Sequence, residues 1–579
     1  MFDIIIRGGV VVDGTGAAPF ASDVGVRDGK IVALGPTLDG QAAEVIDANG
    51  LTVTPGFVDV HTHYDGQATW DSLLEPSSAH GVTTVIAGNC GVGFAPVRPG
   101  AEKWLVQLME GVEDIPGTAL HEGIDWKWES FPQYLDALAE LRWSMDIGTF
   151  VPHGPVRAYV MGERGAANEP ATAEDSAHMA RLVRESIEAG AFGFSSSRTV
   201  GHRGADGRPV PGTHAEFDEL AAIAEAVVAG GGGLLEFAPA ALEGGDTEPL
   251  DELAMMAELS RRTDLVTTFL LLQNRPSPTT WRAQLDAAAT ANSAGARLIA
   301  QVAARPFGVL VGFASYHPFM RRPSFMAAAA TTGSFAELSA ELRRPAVRAA
   351  ILAEQDLPIN PAVRFDAMPE LIATYLDRLY PLGEDVNYEP SPDQSIASMA
   401  AASGIDAYEL MYDLCLEFDG EAFLLMPFLG YADGDHGALY EMLTSPGTIL
   451  GLADGGAHCR MICDASQPTS MLTHWIRDRT RGPRIDLVTA VKRQTSETAA
   501  LVGLSDRGSI SVGKRADLNV IDLANLRLHR PRPVDDLPAG GRRILQAATG
   551  YAATIVNGTV TRRHGVATDA RPGRLLRSV

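Results

Sequence analysis

Along the middle of the chain, apolar residues gather into short continuous runs. Between the runs lie longer stretches where they recur every third or fourth position. The runs read as strands buried on both faces and the spaced stretches as amphipathic helices. Candidate strands are Gly56–His61, Val82–Asn89, Asp146–His153, Ala191–Ser196, Gly232–Phe237, Leu265–Leu272, Arg297–Val302 and Thr448–Asp454. Helical stretches such as AEDSAHMARLVRESIEAG and AEFDELAAIAEAVVAG separate several of them. Eight buried strands alternating with helices predict an α/β fold, a closed (β/α)8 TIM-like barrel rather than an open doubly wound sheet.

The two ends have a different pattern. FDIIIRGGVVVDG, SDVGVRDGKIVALGP and AEVIDANGLTVTPG each join a β-rich run to Gly, Asn or Asp turn signals, and ADLNVIDLANL and GYAATIVNGTVTRRHGV repeat the pattern late in the chain. This predicts a small β-sandwich built from both termini, residues 1–55 and 512–579, around a barrel spanning 56–511; two unrelated β-caps are the alternative. The seventh and eighth strands are too far apart for a simple loop. Residues from about Arg305 to Gly430 are expected to form a helical insertion over the barrel mouth, a candidate lid with Phe307, Phe313 and Tyr316 near the site.

Composition narrows the function classes. The 579 residues carry 47 basic and 72 acidic side chains, a net charge of −25, which excludes nucleic acid as the main partner. Lysine is confined to Lys30, Lys103, Lys127, Lys492 and Lys514. Four cysteines in a chain this long are not a disulfide framework. MFDIIIRGG does not read as a signal peptide, and no apolar stretch is long enough to span a membrane. The expected location is the cytoplasm, with no membrane partner; a homo-oligomer is left open.

Candidate chemistry sits at the strand ends. In PGFVDVHTHYDG an apolar strand runs into His61 and His63, which at i and i+2 point to the same side, into the mouth. Imidazoles so placed suit zinc and similar metals. In TILGLADGGAH, Asp454 ends the eighth strand, beside the first in a closed barrel, where a carboxylate can bind metal and take a proton from water. An N-cap Asp is the plainer reading. Cys90, in the glycine-rich turn of VTTVIAGNCG, is either a ligand or a buried small side chain. His153 is placed to polarise a substrate carbonyl. Arg157, Tyr159, Arg198, His202, Arg203 and His458 are candidates for holding substrate, with a solvated or loop-bracing role as the alternative for the arginines.

Together these segments resemble the amidohydrolase superfamily and, within it, the D-aminoacylase (N-acyl-D-amino-acid deacylase) group. The resemblance covers nearly the whole chain. It rests on DIIIRGGVVVDGTG, PGFVDVHTHYD, GVTTVIAGNCGVGFAP, VPHGPVRAYVMG, GAFGFSSS, GLADGGAH and GSISVGKRADLNVID. It implies a zinc enzyme that hydrolyses an acyl-amide bond, with Cys90 as a ligand, His61 and His63 as a further, weaker metal position, and Asp454 as the catalytic base. Two departures stand out. The group draws a His from the fifth strand and another from the sixth, but here those strands read GGLLEFAP and VTTFLLLQN, with Glu236 or Gln273 as stand-ins. The carboxylated Lys that bridges two metals in other relatives is absent, because no Lys lies between Lys127 and Lys492.

The expectation is therefore one zinc ion held by His61, His63 and Asp454, with Cys90 or Glu236 completing the set. The substrate is expected to be a small linear amide, an N-acyl amino acid, attacked by metal-activated water with Asp454 as general base and acid. A cyclic amide or imide hydrolase, or a metal-free barrel with a binding role, are the alternatives.

Overall fold

The structure is a computed structural model that describes residues 1–240, 242, 249–361 and 363–578. Eight parallel strands form the barrel expected from the apolar runs. Phe57–Asp59, Val82–Ala87 and Asp146–Thr149 pair in one hydrogen-bonded run. Val151–Pro152, Gly193–Ser197, Leu234–Ala238, Val266–Leu270, Leu298–Val302 and Thr448–Leu450 pair in the other. The third strand takes part in both, interrupted at Phe150. The ring closes at the mouth, where Thr62 bridges Gly455 and the His63 amide donates to the Gly455 carbonyl at 2.8 Å. This closure sets the end of the last strand beside the HxH segment.

The two ends of the chain share one sheet. Thr52–Pro55 pairs antiparallel with Leu518–Ile521, Val53 opposite Val520, and leads directly into the first barrel strand. Ile4, Ile6, Val24, Val53, Leu518, Val520 and Ile555 pack as its core. A buried ion network ties this region to the barrel: Asp146 on the third strand meets Arg507 at 2.6 Å and Arg515 at 2.9 Å. No helix among the described residues is long and apolar enough to cross a membrane.

The segment between the seventh and eighth barrel strands differs from the helical insertion expected. Alongside helices such as Pro323–Thr331, Phe335–Leu342 and Ala407–Cys415, it holds a three-stranded antiparallel sheet. Phe423–Leu429 lies at the sheet's centre, between Phe307–Val311 and Tyr380–Leu382. FGVLV and FLLMPFL are continuous aromatic and aliphatic runs, the composition of a buried strand. The segment has its own core around Phe313, Phe319, Leu342, Ile351, Tyr412 and Met426. Phe313 thus lies inside the insertion rather than at the site, and Tyr316 donates to Asp114 at 2.8 Å. Phe307 does reach the cavity described next.

Candidate active site

A cavity of about 250 Å³ lies between the barrel mouth and the insertion. Its floor carries His61, His63, Cys90, Glu113, Asp454 and His458. The ligand atoms of His61, His63 and Cys90 all fall within 4.8 Å of one another. Cys90 Sγ is 3.4 Å from His61 Nε2. Asp454 Oδ1 is 3.5 Å from His61 Nε2 and 3.8 Å from His63 Nε2.

Local backbone geometry aims these groups. The turn after the second strand holds Gly88, Cys90 and Gly91 at φ of 76°, 54° and 68°. A Cβ on Gly91 would lie 2.7 Å from the Ser197 amide nitrogen, and one on Gly88 2.4 Å from the Phe150 carbonyl oxygen. The turn therefore needs glycine on both sides of the cysteine. Leu452 and Asp454 also have positive φ, at 63° and 48°. For a leucine this is a strained conformation, of the kind that gathers at functional sites.

Burial leaves the floor short of counter-charge. His61 is pushed down to about 4, mainly by loss of solvent, and His63 lies well below the usual imidazole range for the same reason. Burial first, and neighbouring acids second, raise the carboxyls of Asp454 and Glu113 well above their ordinary values; burial, offset in part by the Cys90 amide, pushes Glu236 up to about 8. His63 Nδ1, His458 Nδ1, one oxygen of Glu113 and one of Glu236 are buried without a hydrogen-bond partner. Neutral imidazoles, a thiol and buried carboxyls, two of them with one oxygen unpaired, form a donor set that fits a divalent cation.

Gln301 sets the His61 tautomer. Its Oε1 lies 2.9 Å from His61 Nδ1, and its Nε2 donates to Thr268 Oγ1 at 3.1 Å. With Nδ1 donating to Gln301, the Nε2 lone pair faces Cys90 and Asp454. Glu113 links two imidazoles, Oε1 at 3.3 Å from His63 Nδ1 and Oε2 at 3.5 Å from His458 Nε2. Neither Gln301 nor Glu113 was singled out from the sequence. Glu113 carried a signal: it continues the apolar register of Leu105, Met109 and Val112 on the helix Glu102–Glu113, and so faces inward.

Several expected site residues take other partners. His153 is fully buried, its ring nitrogens 2.8 Å from Ser196 Oγ and 2.8 Å from Glu219 Oε1. Arg157 donates to the same carboxylate at 2.9 Å, so neither side chain reaches the cavity. Tyr159 donates to Glu129, Arg198 pairs with Glu252 at 2.8 Å, and Arg203 donates to the Gly207 carbonyl. The helix starting at His153 follows its strand at once, which turns His153 and Arg157 toward Glu219 on the neighbouring helix Phe217–Ala229. Gln273 binds Asp433 and the Ala432 amide. Glu236 Oε2 accepts the Cys90 amide at 2.9 Å and braces the turn from below. His202 and His458 do line the cavity. Among the described lining residues the arginine is Arg364, from the insertion, where no substrate group was expected. The remaining wall is apolar, with Val309, Phe365, Met368, Leu371 and Phe428 on the insertion side.

A convergent set of imidazole, thiol and carboxylate groups at the mouth of a parallel barrel defines a barrel enzyme. The sequence profile of the amidohydrolase family matches residues 44–562, and the chain belongs to that family. It is a hydrolase of carbon–nitrogen bonds other than peptide bonds. It is 27% identical to a D-aminoacylase of Alcaligenes xylosoxydans xylosoxydans over 585 residues, covering 99% of this chain and 97% of that one. An N-acyl-D-aspartate deacylase from the same organism is 36% identical over 34% of this chain and 36% of its own. In fold, the chain superposes on the N-acyl-D-glutamate deacylase of Bordetella bronchiseptica, solved with zinc and a phosphonate mimic of the tetrahedral intermediate. The TM-score is 0.65 at 22% identity, with both chains fully covered.

Proposed function

We propose that the chain hydrolyses linear N-acyl amino acids, with one zinc ion held by His61, His63, Cys90 and Asp454. The observation that carries this reading is the convergence of those four side chains on one buried floor under an apolar, arginine-bearing wall. Imidazole, thiolate and carboxylate together favour zinc. One ion rather than two is favoured because Glu236 Oε2 accepts the Cys90 amide, Gln273 binds Asp433, and Leu270 and Leu272 make that flank of the cavity apolar.

A divalent cation in this place supplies polarisation of the amide carbonyl and lowers the pKa of water. The chain's own groups do the rest. Asp454 accepts the proton of the attacking water and returns it to the leaving nitrogen. Glu113 keeps His63 and His458 in register. The apolar wall excludes bulk water and receives an acyl chain or side chain. Arg364, steadied by its Nε donating to the Gly111 carbonyl at 2.9 Å, meets the substrate carboxylate.

The test is a panel of N-acyl amino acids, their carboxamides and cyclic imides assayed with zinc-loaded protein. N-acyl amino acids turning over fastest is the expected result; turnover of cyclic imides alone overturns the reading. Arg364→Ala should raise KM for N-acyl amino acids by about 10–100-fold, the worth of a charge-assisted contact, and leave the carboxamides unaffected.

A further inference from the structure

A second cluster of metal-ligating side chains lies apart from the catalytic cavity. Glu389 comes from the insertion, His436 precedes the helix Gly437–Thr444, and His474 lies in the π-helical stretch Met471–Asp478 that follows the eighth barrel strand. None of the three lines the catalytic cavity. Glu389 and His474 open instead onto a separate cavity of about 670 Å³.

Their geometry is that of a ligand triangle. His436 Nδ1 and His474 Nε2 are 3.0 Å apart, His474 Nε2 and Glu389 Oε2 are 3.2 Å apart, and His436 Nδ1 and Glu389 Oε2 are 3.8 Å apart. Zinc–ligand bonds of about 2.0–2.2 Å at tetrahedral angles place neighbouring ligand atoms about 3.3 Å apart. With both rings neutral, the two imidazole nitrogens carry at most one hydrogen each toward the triangle. If His474 Nε2 accepts from His436, its lone pair also faces the Glu389 carboxylate. If it donates to Glu389, the short contact to His436 shares the same hydrogen. Convergent lone pairs of this kind can hold a metal cation beside the Arg479 guanidinium.

The surroundings suit a carboxylate that binds through one oxygen. Glu389 Oε1 accepts the His436 amide at 2.7 Å and Arg479 Nη2 at 3.1 Å, which turns Oε2 toward the imidazoles. Arg479 Nε also reaches Oε2 at 3.1 Å, so the guanidinium orients the carboxylate and competes for its charge. His474 is partly exposed, at 18%, which gives an ion a path from the second cavity and leaves a fourth position open there. A π-helical turn is itself a frequent mark of function.

We propose that Glu389, His436 and His474 form a second zinc-type cation site that clamps the insertion to the barrel. The experiment strips the full-length protein with a chelator, reloads it with zinc alone, and counts metal after desalting, for wild type and for His474→Gln. The variant should hold one ion fewer, and His474→Glu, which keeps a charged ligand at similar reach, should regain it. Zinc-edge anomalous scattering from wild-type crystals should show a peak among the three side chains, separate from any peak at Cys90. Equal zinc content in wild type and His474→Gln, with no peak at the triangle, overturns the site and leaves an ion-pair network in its place. Should the variants fail to fold, or the two readouts differ, the anomalous map decides. Neither readout depends on catalysis, so the outcome is independent of the proposed substrate.

Discussion

Asp454→Asn should fold, retain part of its metal and lose hydrolysis by about a hundredfold or more, the scale of a missing general acid–base group. The substitution suits the backbone: φ at this residue is 48°, a left-handed value that asparagine adopts as readily as aspartate. Its amide oxygen can still face His61 and His63, which lie 3.5 and 3.8 Å from Oδ1. It cannot take up a proton. A cation beside the native carboxylate would offset the burial that raises it and hold it ionised near neutral pH. Steady-state rates at saturating zinc, together with metal content, check this. An Asp454→Asn enzyme that keeps most of its rate would transfer the role to Glu113, the other carboxylate on the cavity floor.

His61→Ala should remove turnover and the bound metal together. His61 is buried at the centre of the cluster, touching Cys90, Asp454 and Gln301 with its two ring nitrogens. Truncation deletes a donor and frees Gln301 Oε1. His63→Ala should behave alike, with the added effect of leaving Glu113 without its nearer partner. Metal analysis beside the assay separates the outcomes: normal metal content with normal rate in either variant refutes the assigned centre. Cys90→Ser is the milder companion, weakening zinc retention because a hydroxyl is a poorer ligand than a thiolate.

The barrel was legible because its strands are buried on both faces, so each appears as an unbroken apolar run such as Val82–Ala87 or Leu234–Ala238. The HxH pair, Cys90 and Asp454 stood out for a related reason: a polar group where an apolar strand stops has few structural uses. What escaped notice depends on tertiary position. Glu113 ends a helix and Arg364 sits within the insertion, and only folding brings them over the strand ends. The error ran the other way for Arg157 and Arg198. They follow strands, as mouth residues should, but Glu219 and Glu252 on neighbouring helices claim them. The insertion's strands were missed because a long segment rich in alanine and leucine masked the aromatic run Phe423–Leu429.

The pairing of Thr52–Pro55 with Leu518–Ile521 bears on how the molecule is made. The early strand leaves the ribosome with one edge unpaired, and its partner is translated only after the whole barrel. At roughly 5–20 residues per second that interval lasts tens of seconds. Throughout it an open edge, attached directly to the segment bearing His61 and His63, can accept the wrong strand. Chaperone dependence during synthesis, and poor yield from chains stalled before Leu518, are the expected cost of that arrangement.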